Sequence, residues 1–580
     1  MRNILRFCKP YRKYFALGPL FKLVEAIFEL IVPLVMANMI DRIPQVQQSG
    51  DLSPLWRGGG LMVLFGLLGL GSTLVCQVMA SKASQGIGTD LRREVFRHIQ
   101  RFGSRELDRF GTPSLITRLT ADIQQVQIGA AYLIRLFVRA PFLVIGAMLM
   151  AMRIDLQLSL VFLAIVPLVA LVLFLVMHRS VPLFRTVQQK TDRIGLITRE
   201  NCSGARVVRA FRKQDKEKQR FDAASDDVAE HTMRIGRLNA LLAPSNFLLL
   251  NLGMAAVLWF GGQRVYFGSM TRGEVVAFVN YLNQILLALV VVANLVVTFT
   301  KAYASAVRVE EVLSTEPSMT APEQAMQPDP ARRGEVELEH VRFRYPDAGG
   351  DALQQINLHF APGESIGVIG GTGSGKSTLA QLLPRLYDAT EGHVRISGVD
   401  VRDMAPEALH EQISMVPQGN LLFSGSVQEN LSWRKPDATD DELWQALRVA
   451  QAEDVVRAMP GGLNATVSRG GVNFSGGQKQ RLTIARAVLG HPAVLILDDA
   501  SSALDYATDA ALRHAIAHLQ PRPTVLMISQ RVSTVRTCDR IVVMEDGRVV
   551  GVGRHEALLQ SCVAYQEICR SQGVETEVAK

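Results

Sequence analysis

The chain has 580 residues, too many for one domain, and 48% of them are apolar. The apolar residues lie mostly in the first half as long blocks, which indicates a membrane part joined to a soluble part. The net charge of +8 comes from basic residues beside these blocks, so it favours a membrane surface over nucleic acid as a partner.

The six cysteines are scattered without a C-x-x-C pair, which excludes a metal or disulfide framework and suits a reducing compartment. Residues 1–14 form a short basic lead-in that we expect to lie on the inner membrane surface. No small-residue cleavage pattern follows, so no signal peptide is predicted.

Six apolar segments are long enough to cross a membrane, at about 16–40, 61–80, 131–152, 156–177, 238–260 and 275–300. The connections between the second and third segments and between the fourth and fifth are long and rich in arginine and lysine. The positive-inside rule places both connections in the cytoplasm. We therefore predict a multi-pass protein of the inner (cytoplasmic) membrane with both termini and the soluble half on the cytoplasmic side.

Charged residues occur within two of the predicted spans. Lys22, Glu25 and Glu29 share one face of the first, and Arg135 and Arg139 are four residues apart on the third. Charges inside a membrane bundle mark a substrate pathway, or they pair with one another near the interface. Both interpretations stay open at the level of sequence.

The pattern changes after the sixth span. Residues 1–313 form the predicted transmembrane domain, the proline-rich segment 314–334 a linker, and residues 335–580 a soluble domain. In that domain short apolar strands alternate with helices, at 335–345, 365–370, 393–397, 494–497, 524–529 and 540–550. The predicted fold class is a six-helix membrane bundle followed by an α/β P-loop nucleotide-binding domain.

A glycine-rich turn between a buried strand and a helix carries the clearest chemistry. It fits G-x-x-x-x-G-K-[ST], in which backbone N–H groups surround phosphates, the lysine reaches the outer phosphates and the serine binds Mg²⁺. The nucleotide-binding residues predicted from this turn are Gly370, Gly371, Thr372, Gly373, Ser374, Gly375, Lys376, Ser377 and Thr378. A second apolar strand ends at Asp498, a further predicted Mg²⁺ ligand.

Three more motifs complete a set. The segment 473–481 has the sequence NFSGGQKQR before a helix, Gln418 follows Val-Pro, and Asp505 ends Ser-Ala-Leu-Asp. With the glycine turn and Asp498, these make the whole soluble half resemble the ATP-binding cassette of ABC transporters. The resemblance implies binding of ATP and Mg²⁺. It assigns adenine stacking to Tyr345, metal sensing and metal binding to Gln418, and further nucleotide contacts to Asp505 and to the signature loop Ser475, Gly476, Gly477 and Gln478.

The membrane half is similar to the six-helix domain of multidrug-type exporters. That resemblance implies coupling helices near 104–117 and 203–211, and a half-transporter that works as a dimer. In this family two cassettes enclose two ATP molecules, and each site joins the glycine loop of one chain to the signature loop of the other.

Next to the signature loop, Phe474 replaces the leucine that is more usual in the family, and two further departures bear on catalysis. The glutamate that usually follows the magnesium-binding aspartate is Asp499, and the usual switch histidine is Gln530. The shorter carboxylate is a misplaced base, and a glutamine can donate to the γ-phosphate but cannot carry a proton. We predict that the site on this chain's glycine loop is slow, with Asp499 and Gln530 as its catalytic residues, and that the signature loop completes a competent site on a different partner chain. A homodimer with two weak sites is the alternative.

The leading functional hypothesis is ATP-driven efflux of hydrophobic or amphipathic small molecules. A narrow-substrate lipid or peptide exporter and a nucleotide-regulated ABC protein with little transport remain as alternatives. Six spans exclude a soluble ABC ATPase acting on nucleic acid, and the substrate itself is not encoded in any motif.

Overall fold

The computed structural model describes residues 2–322, 324–346 and 348–573. The chain divides into two units: Met1–Gln100 with Pro113–Thr315, and Arg101–Thr112 with Glu316–Lys580. The predicted fold class is confirmed: six apolar helical segments precede an α/β domain.

Helices make up almost all of the first part of the chain. In order they are α1 (Arg2–Cys8), α2 (Arg12–Ser49), α3 (Ser53–Ile99), α4 (Ser104–Phe110), α5 (Thr112–Thr117), α6 (Ile123–Arg135), α7 (Arg139–Ile154), α8 (Leu160–Ser203), α9 (Ala205–Ala210), α10 (Gln214–Ala240), α11 (Leu242–Tyr266) and α12 (Arg272–Ser314). A π-helical turn, Arg118–Asp122, joins α5 to α6. Within the described residues, six helical segments are long and apolar enough to cross a membrane, and each overlaps one predicted span.

Non-helical turn residues interrupt two of the six segments. The third breaks between α6 and α7, and the fifth breaks between α10 and α11. Pro141 and Pro244 each lie in the first turn after a break, where the missing N–H group would have no helical acceptor. The prolines therefore begin new helices here and do not interrupt the hydrogen bonds of existing ones.

The core of the membrane unit contains large side chains from α8 and α12. Phe162, Phe278 and Tyr281 are fully buried, and the Tyr281 hydroxyl donates a 2.7 Å hydrogen bond to the Leu30 carbonyl. This bond ties α12 to α2 and satisfies the one polar atom of a buried aromatic side chain.

Two main sheets and a short ribbon form the second unit. The strands are β1 (Val336–Phe343), β2 (Leu353–Phe360), β3 (Ser365–Gly370), β4 (Glu391–Ile396), β5 (Val399–Asp400), β6 (Ile413–Val416), β7 (Gly425–Ser426), β8 (Thr466–Val467), β9 (Val494–Asp498), β10 (Thr524–Ile528), β11 (Arg540–Glu545) and β12 (Arg548–Gly553). An antiparallel sheet has the order β2-β1-β4-β5, and a mostly parallel sheet has the order β12-β11-β3-β10-β9-β6.

The remaining helices surround these sheets. They are α13 (Lys376–Leu382), α14 (Pro406–Gln412), α15 (Val427–Leu431), α16 (Asp440–Val449), α17 (Glu453–Arg457), α18 (Gly476–Val488), α19 (Tyr506–Ala517), α20 (Val532–Val535), α21 (His555–Ser561) and α22 (Val563–Ser571).

The centre of the parallel sheet positions the candidate site. Strands β3, β10 and β9 are neighbours, and their residues are almost all buried, as expected for parallel strands covered on both faces. Because the strands are parallel, their carboxyl ends meet at one edge. Ligands bind at this edge in open α/β sheets.

Candidate nucleotide-binding site

The glycine-rich turn leaves β3 and closes around a lysine. The Lys376 ammonium donates to the carbonyls of Gly370 (2.9 Å) and Gly371 (2.6 Å) and to the Ser374 hydroxyl (3.2 Å). Gly375 has φ +95°, and a Cβ there would lie 2.8 Å from the Ala352 carbonyl oxygen. The turn therefore requires glycine at this position, and it holds a cation among backbone carbonyls.

Burial lowers the pKa of Lys376, while Asp498 and Asp499 oppose that shift. Lys376 is only 8% exposed, and no carboxylate among the described residues lies within ion-pair distance of its ammonium group. A buried cation held by neutral acceptors gains from a nearby anion. The outer phosphates of a nucleotide would supply that anion.

Asp498 lies at the end of β9, 4% exposed, and accepts a 3.1 Å hydrogen bond from the Ser377 hydroxyl. Burial raises the pKa of Asp498, and the neighbouring Asp499 raises it further. A buried carboxylate beside a hydroxyl, under repulsion from a second carboxylate, fits a hard divalent cation such as Mg²⁺. No cluster of three or more His, Cys, Asp or Glu exists in the described ranges, so phosphate oxygens and water would complete the coordination.

A cavity of about 360 Å³ opens at this edge of the sheet. Several residues predicted from distant segments line it together: Tyr345, Thr372, Gly373, Gly375, Lys376, Ser377, Thr378, Gln418, Asp498, Asp499 and Gln530. Gly370, Gly371 and Ser374 do not line the cavity themselves, but each accepts a hydrogen bond from the Lys376 ammonium. Ala352, Ile528 and Ser529 also line the cavity, and no sequence motif marked them.

Tyr345 is held at the cavity by other aromatic rings. Its ring is edge-on to Phe343, with centroids 4.8 Å apart, and to Tyr387, with centroids 5.4 Å apart. Its hydroxyl lies 3.1 Å from the Thr378 hydroxyl and donates to Gln381 at 3.2 Å. The ring is therefore fixed beside the first turn of α13, where a purine could stack on it.

Asp499 occupies a left-handed backbone conformation, with φ +49°. Its N–H donates to the Ile528 carbonyl at 3.0 Å, and its carbonyl accepts from Gln480 at 3.1 Å. Burial raises the pKa of its carboxyl group, while Arg531 and Lys376 lower it. The turn therefore holds Asp499 at the cavity by its backbone, and the length of its side chain decides how far the carboxylate reaches.

The signature loop does not line this cavity. Ser475 caps α18 by accepting from the Gln478 N–H at 3.3 Å, and Gln478 accepts from the Ser475 N–H at 2.9 Å. Both Ser475 and Gly476 are exposed. Phe474, which replaces the family's usual leucine, is 6% exposed within the hydrophobic core. The loop is thus an ordered surface feature, and the unusual phenylalanine is accommodated inside the domain.

Asp505 is also outside the cavity. Its carboxylate caps α19 by accepting from the Thr508 N–H and hydroxyl, both at 2.9 Å. Gln480 lies within the NFSGGQKQR segment, although no role was predicted for it. It links α18 to the Asp499 turn: it donates to the Asp499 carbonyl and accepts from the Ala503 N–H, each at 3.1 Å. Gln480 is 1% exposed, so these bonds are shielded from water.

Four of the five charged residues singled out within the predicted spans form ion pairs with one another. Lys22 pairs with Glu25, and Arg139 lies 2.7 Å from Glu29 and 3.7 Å from Glu25. Arg135 makes no ion pair within the described ranges. Internal pairing, one of the two interpretations above, therefore accounts for four of the five residues.

The predicted coupling segments are short helices. In the second unit, Asp108 of α4 accepts a hydrogen bond from Tyr387, and Glu106 accepts from the Gly103 N–H (2.9 Å) and the Ser318 hydroxyl (3.0 Å). In the first unit, α9 buries none of its residues, and the side chains of Val207 and Phe211 are exposed.

Comparisons with known proteins agree with this geometry. A family model described as the ABC transporter transmembrane region matches residues 15–289, and one described as ABC transporter matches residues 353–502. An uncharacterized ABC transporter ATP-binding protein of Mycobacterium tuberculosis is 37% identical over 98% of each chain. An ATP-dependent lipid A-core flippase of Chromohalobacter salexigens is 32% identical over 99% of this chain and 98% of its own.

Among solved structures, a bacterial Atm1-family ABC exporter with ATP bound has a TM-score of 0.79 to this chain. The similarity covers 98% of this chain and 99% of that one at 22% identity, and it shows a shared fold.

Proposed function

The chain belongs to the ABC transporters that fuse a transmembrane domain to an ATP-binding domain, and we propose that it is the slow-site half of a heterodimeric exporter of hydrophobic or amphipathic compounds. Its soluble half is an ATPase coupled to transport, and the chain is a multi-pass exporter of the inner membrane. The observation that carries the proposal is the pair of departures, Asp499 and Gln530, on the wall of one cavity with Lys376.

We assign ATP binding to the cavity itself. Lys376 would contact the outer phosphates, the backbone of Gly371–Gly375 would surround them, and Tyr345 would stack on the base. Ser377 and Asp498 would hold Mg²⁺, with Gln418 at the same edge. When bound, Mg²⁺ neutralises negative charge on the phosphates.

Two side-chain properties support the slow-site assignment: the short side chain of Asp499, and the inability of the Gln530 amide to accept a proton. An aspartate carboxylate ends one methylene, roughly 1–1.5 Å, short of a glutamate, and a misplacement of about 1 Å can cost on the order of 10²-fold in rate. The backbone of Asp499 is held by hydrogen bonds from both sides, so it cannot easily move to compensate. Gln530 can orient a phosphate oxygen but cannot accept a proton in the manner of histidine.

The signature loop serves a different site in this proposal. Ser475 and Gly476 are exposed, and Asp505 lies outside this chain's cavity. A helix N-terminus with a capping serine offers N–H groups to phosphate. We assign this surface to the competent site of a partner half-transporter, with a homodimer as the alternative.

One alternative function has an observation in its favour. The relative from Chromohalobacter salexigens is named a lipid A-core flippase, which favours a lipid as the amphipathic substrate. We keep lipid export as the second candidate. Both candidates use the same orientation, with the termini and the ATP-binding domain in the cytoplasm, as the basic connections indicate.

Transport into inside-out vesicles, with and without a co-expressed second half-transporter, tests the proposal. We expect ATP-dependent uptake of amphipathic dyes or of fluorescent lipid only when both chains are present. Lys376→Ala in this chain controls for transport that does not depend on its site. Equal uptake by this chain alone would contradict the heterodimer.

A further inference from the structure

The residues on either side of Gln530 are hydrogen-bonded to neighbouring elements: the Ser529 N–H donates to the Val368 carbonyl at 3.1 Å, and the Arg531 carbonyl accepts from the Thr534 N–H at 3.2 Å. We call Ser529–Val532 the switch segment; it joins the buried end of β10 to α20. Ser529 and Val532 are buried, whereas Gln530 and Arg531 between them are exposed. The Ser529 hydroxyl accepts from the Arg531 N–H at 3.0 Å, and Arg531 reaches the Ser502 carbonyl at 3.3 Å. Neither bond holds the backbone of Gln530 itself.

One side chain from the end of the described chain supplies that support. Gln572 donates to the Gln530 carbonyl at 2.6 Å and accepts from the Val532 N–H at 2.9 Å. The two bonds span the exposed pair from both sides, so a single amide satisfies the backbone groups that the sheet and α20 leave open.

The helix that presents Gln572 is firmly anchored. Tyr565 and Cys569 of α22 are fully buried in a cluster that includes Val532 and Val535. The Tyr565 hydroxyl lies 2.7 Å from His555 Nδ1. Gln572 is the C-cap residue that directly follows α22, so its main chain is placed by a packed helix while its amide extends to the switch segment.

We propose that Gln572 is a positioning residue for the nucleotide site. It sets the backbone position of Gln530, and thereby the reach of the Gln530 amide toward the γ-phosphate. The inference rests on the role proposed above for Gln530. It adds that the C-terminal helix holds the switch segment in place, although no part of that helix lines the cavity.

The experiment compares MgATP with MgADP binding by the purified full-length chain, since only ATP carries the phosphate that Gln530 would contact. Loss of one net hydrogen bond, here the bond from the Gln530 amide to the γ-phosphate, corresponds to about a fivefold change in affinity for MgATP. We expect Gln572→Ala to weaken MgATP binding about fivefold, with MgADP affinity and Tm unchanged. Gln572→Glu should act in the same way, because a carboxylate still accepts from Val532 but repels the Gln530 carbonyl.

Gln566→Ala is the matched control. Gln566 is on the same helix and also donates to a backbone carbonyl, that of Leu559 at 2.8 Å, but it does not touch the switch segment. We expect this variant to bind both nucleotides as the unchanged chain does.

Gln530→Ala separates the two claims. If it weakens MgATP binding while Gln572→Ala does not, the positioning role is wrong and the role of Gln530 stands. If Gln530→Ala has no effect, both are wrong. Equal weakening of MgATP and MgADP by Gln572→Ala, together with a lower Tm, would reduce Gln572 to a structural residue and also overturn the inference.

Discussion

Among single residues, Asp499 destabilises the folded chain through its charge, and it is also the residue to which we assign a role in ATP hydrolysis. It is held at φ +49°, beside a second carboxylate, in a partly buried turn. Burial raises its pKa above 3.8, so in the range between 3.8 and the raised value the folded chain binds this proton more readily than the unfolded chain. Stability therefore falls as the pH rises through that range, and at neutral pH the full cost is present.

Asp499→Asn should stabilise the nucleotide-free chain at pH 7 while abolishing residual hydrolysis at this site. Asparagine tolerates the left-handed backbone and carries no charge, so we expect a gain of about 0.5–2 kcal/mol. Thermal unfolding with single-turnover hydrolysis measures both effects. An unchanged or lower Tm would show that the Asp499 charge does not strain the turn.

At the scale of elements, the glycine turn depends on one close approach. Gly375 precedes α13 with φ +95°, and a Cβ there would meet the Ala352 carbonyl oxygen and Leu353 Cδ2, both at 2.8 Å. Ala352 directly precedes β2, so the antiparallel sheet limits the space available to the glycine turn.

Gly375→Ala should therefore weaken MgATP binding at least about tenfold, because the loop must shift to relieve the contact and left-handed strain adds to it. Gly349→Ala is a suitable control, since a Cβ there has nothing within 4 Å and its φ is ordinary. Fluorescent-nucleotide titration of both variants checks this. Matching affinities in the two would mean that the loop is not shaped by β2.

In the first unit, an ion pair joins helices α2 and α7. Arg139 at the start of α7 pairs with Glu29 of α2, and its Nε is buried without a hydrogen-bond partner among the described residues. Removing one member of such a pair leaves a charge unpaired, whereas removing both does not.

We expect Arg139→Met to destabilise the protein by about 1–3 kcal/mol and Arg139→Met with Glu29→Met to recover most of that loss. Arg153→Met on the same helix is the control, because Arg153 is exposed and makes no ion pair in the described ranges. Thermal unfolding in detergent gives all three values. If the double variant is no more stable than Arg139→Met, the charges act independently.

For the molecule as a whole, contiguous sequence motifs indicated the residues that meet at the cavity, but they did not indicate the residues that hold those residues in place. The glycine turn and Gln530 come after buried strands, and Asp498 is the last residue of one. Because parallel pairing brings strand ends together, the convergence of these residues could be expected. Gln480, Ala352 and Gln572 could not be expected, because each contributes through tertiary contacts that no local pattern encodes. The breaks in the third and fifth spans were missed because apolar composition continues through both.

The two departures from the family bear on how two chains of a dimer divide ATP hydrolysis between their two sites. Asp499 and Gln530 line this chain's own cavity, whereas Ser475 and Asp505 lie outside it. If one chain supplies a slow site and its partner a competent one, a substitution in the signature loop should affect the partner's site, whereas a substitution at Asp499 should affect this chain's own site. Ser475→Arg should abolish steady-state turnover of the heterodimer, whereas Asp499→Asn should leave most of it.

The most direct measurement is single-turnover hydrolysis of radiolabelled ATP by the purified chain, alone and with its partner, beside the variant Asp499→Glu with Gln530→His. We predict that the chain alone retains ATP without hydrolysing it, that turnover appears with the partner, and that the double variant hydrolyses at least about tenfold faster at this site. Rapid hydrolysis by the unchanged chain alone would show that Asp499 is an adequate base, and the homodimer would replace the slow-site model.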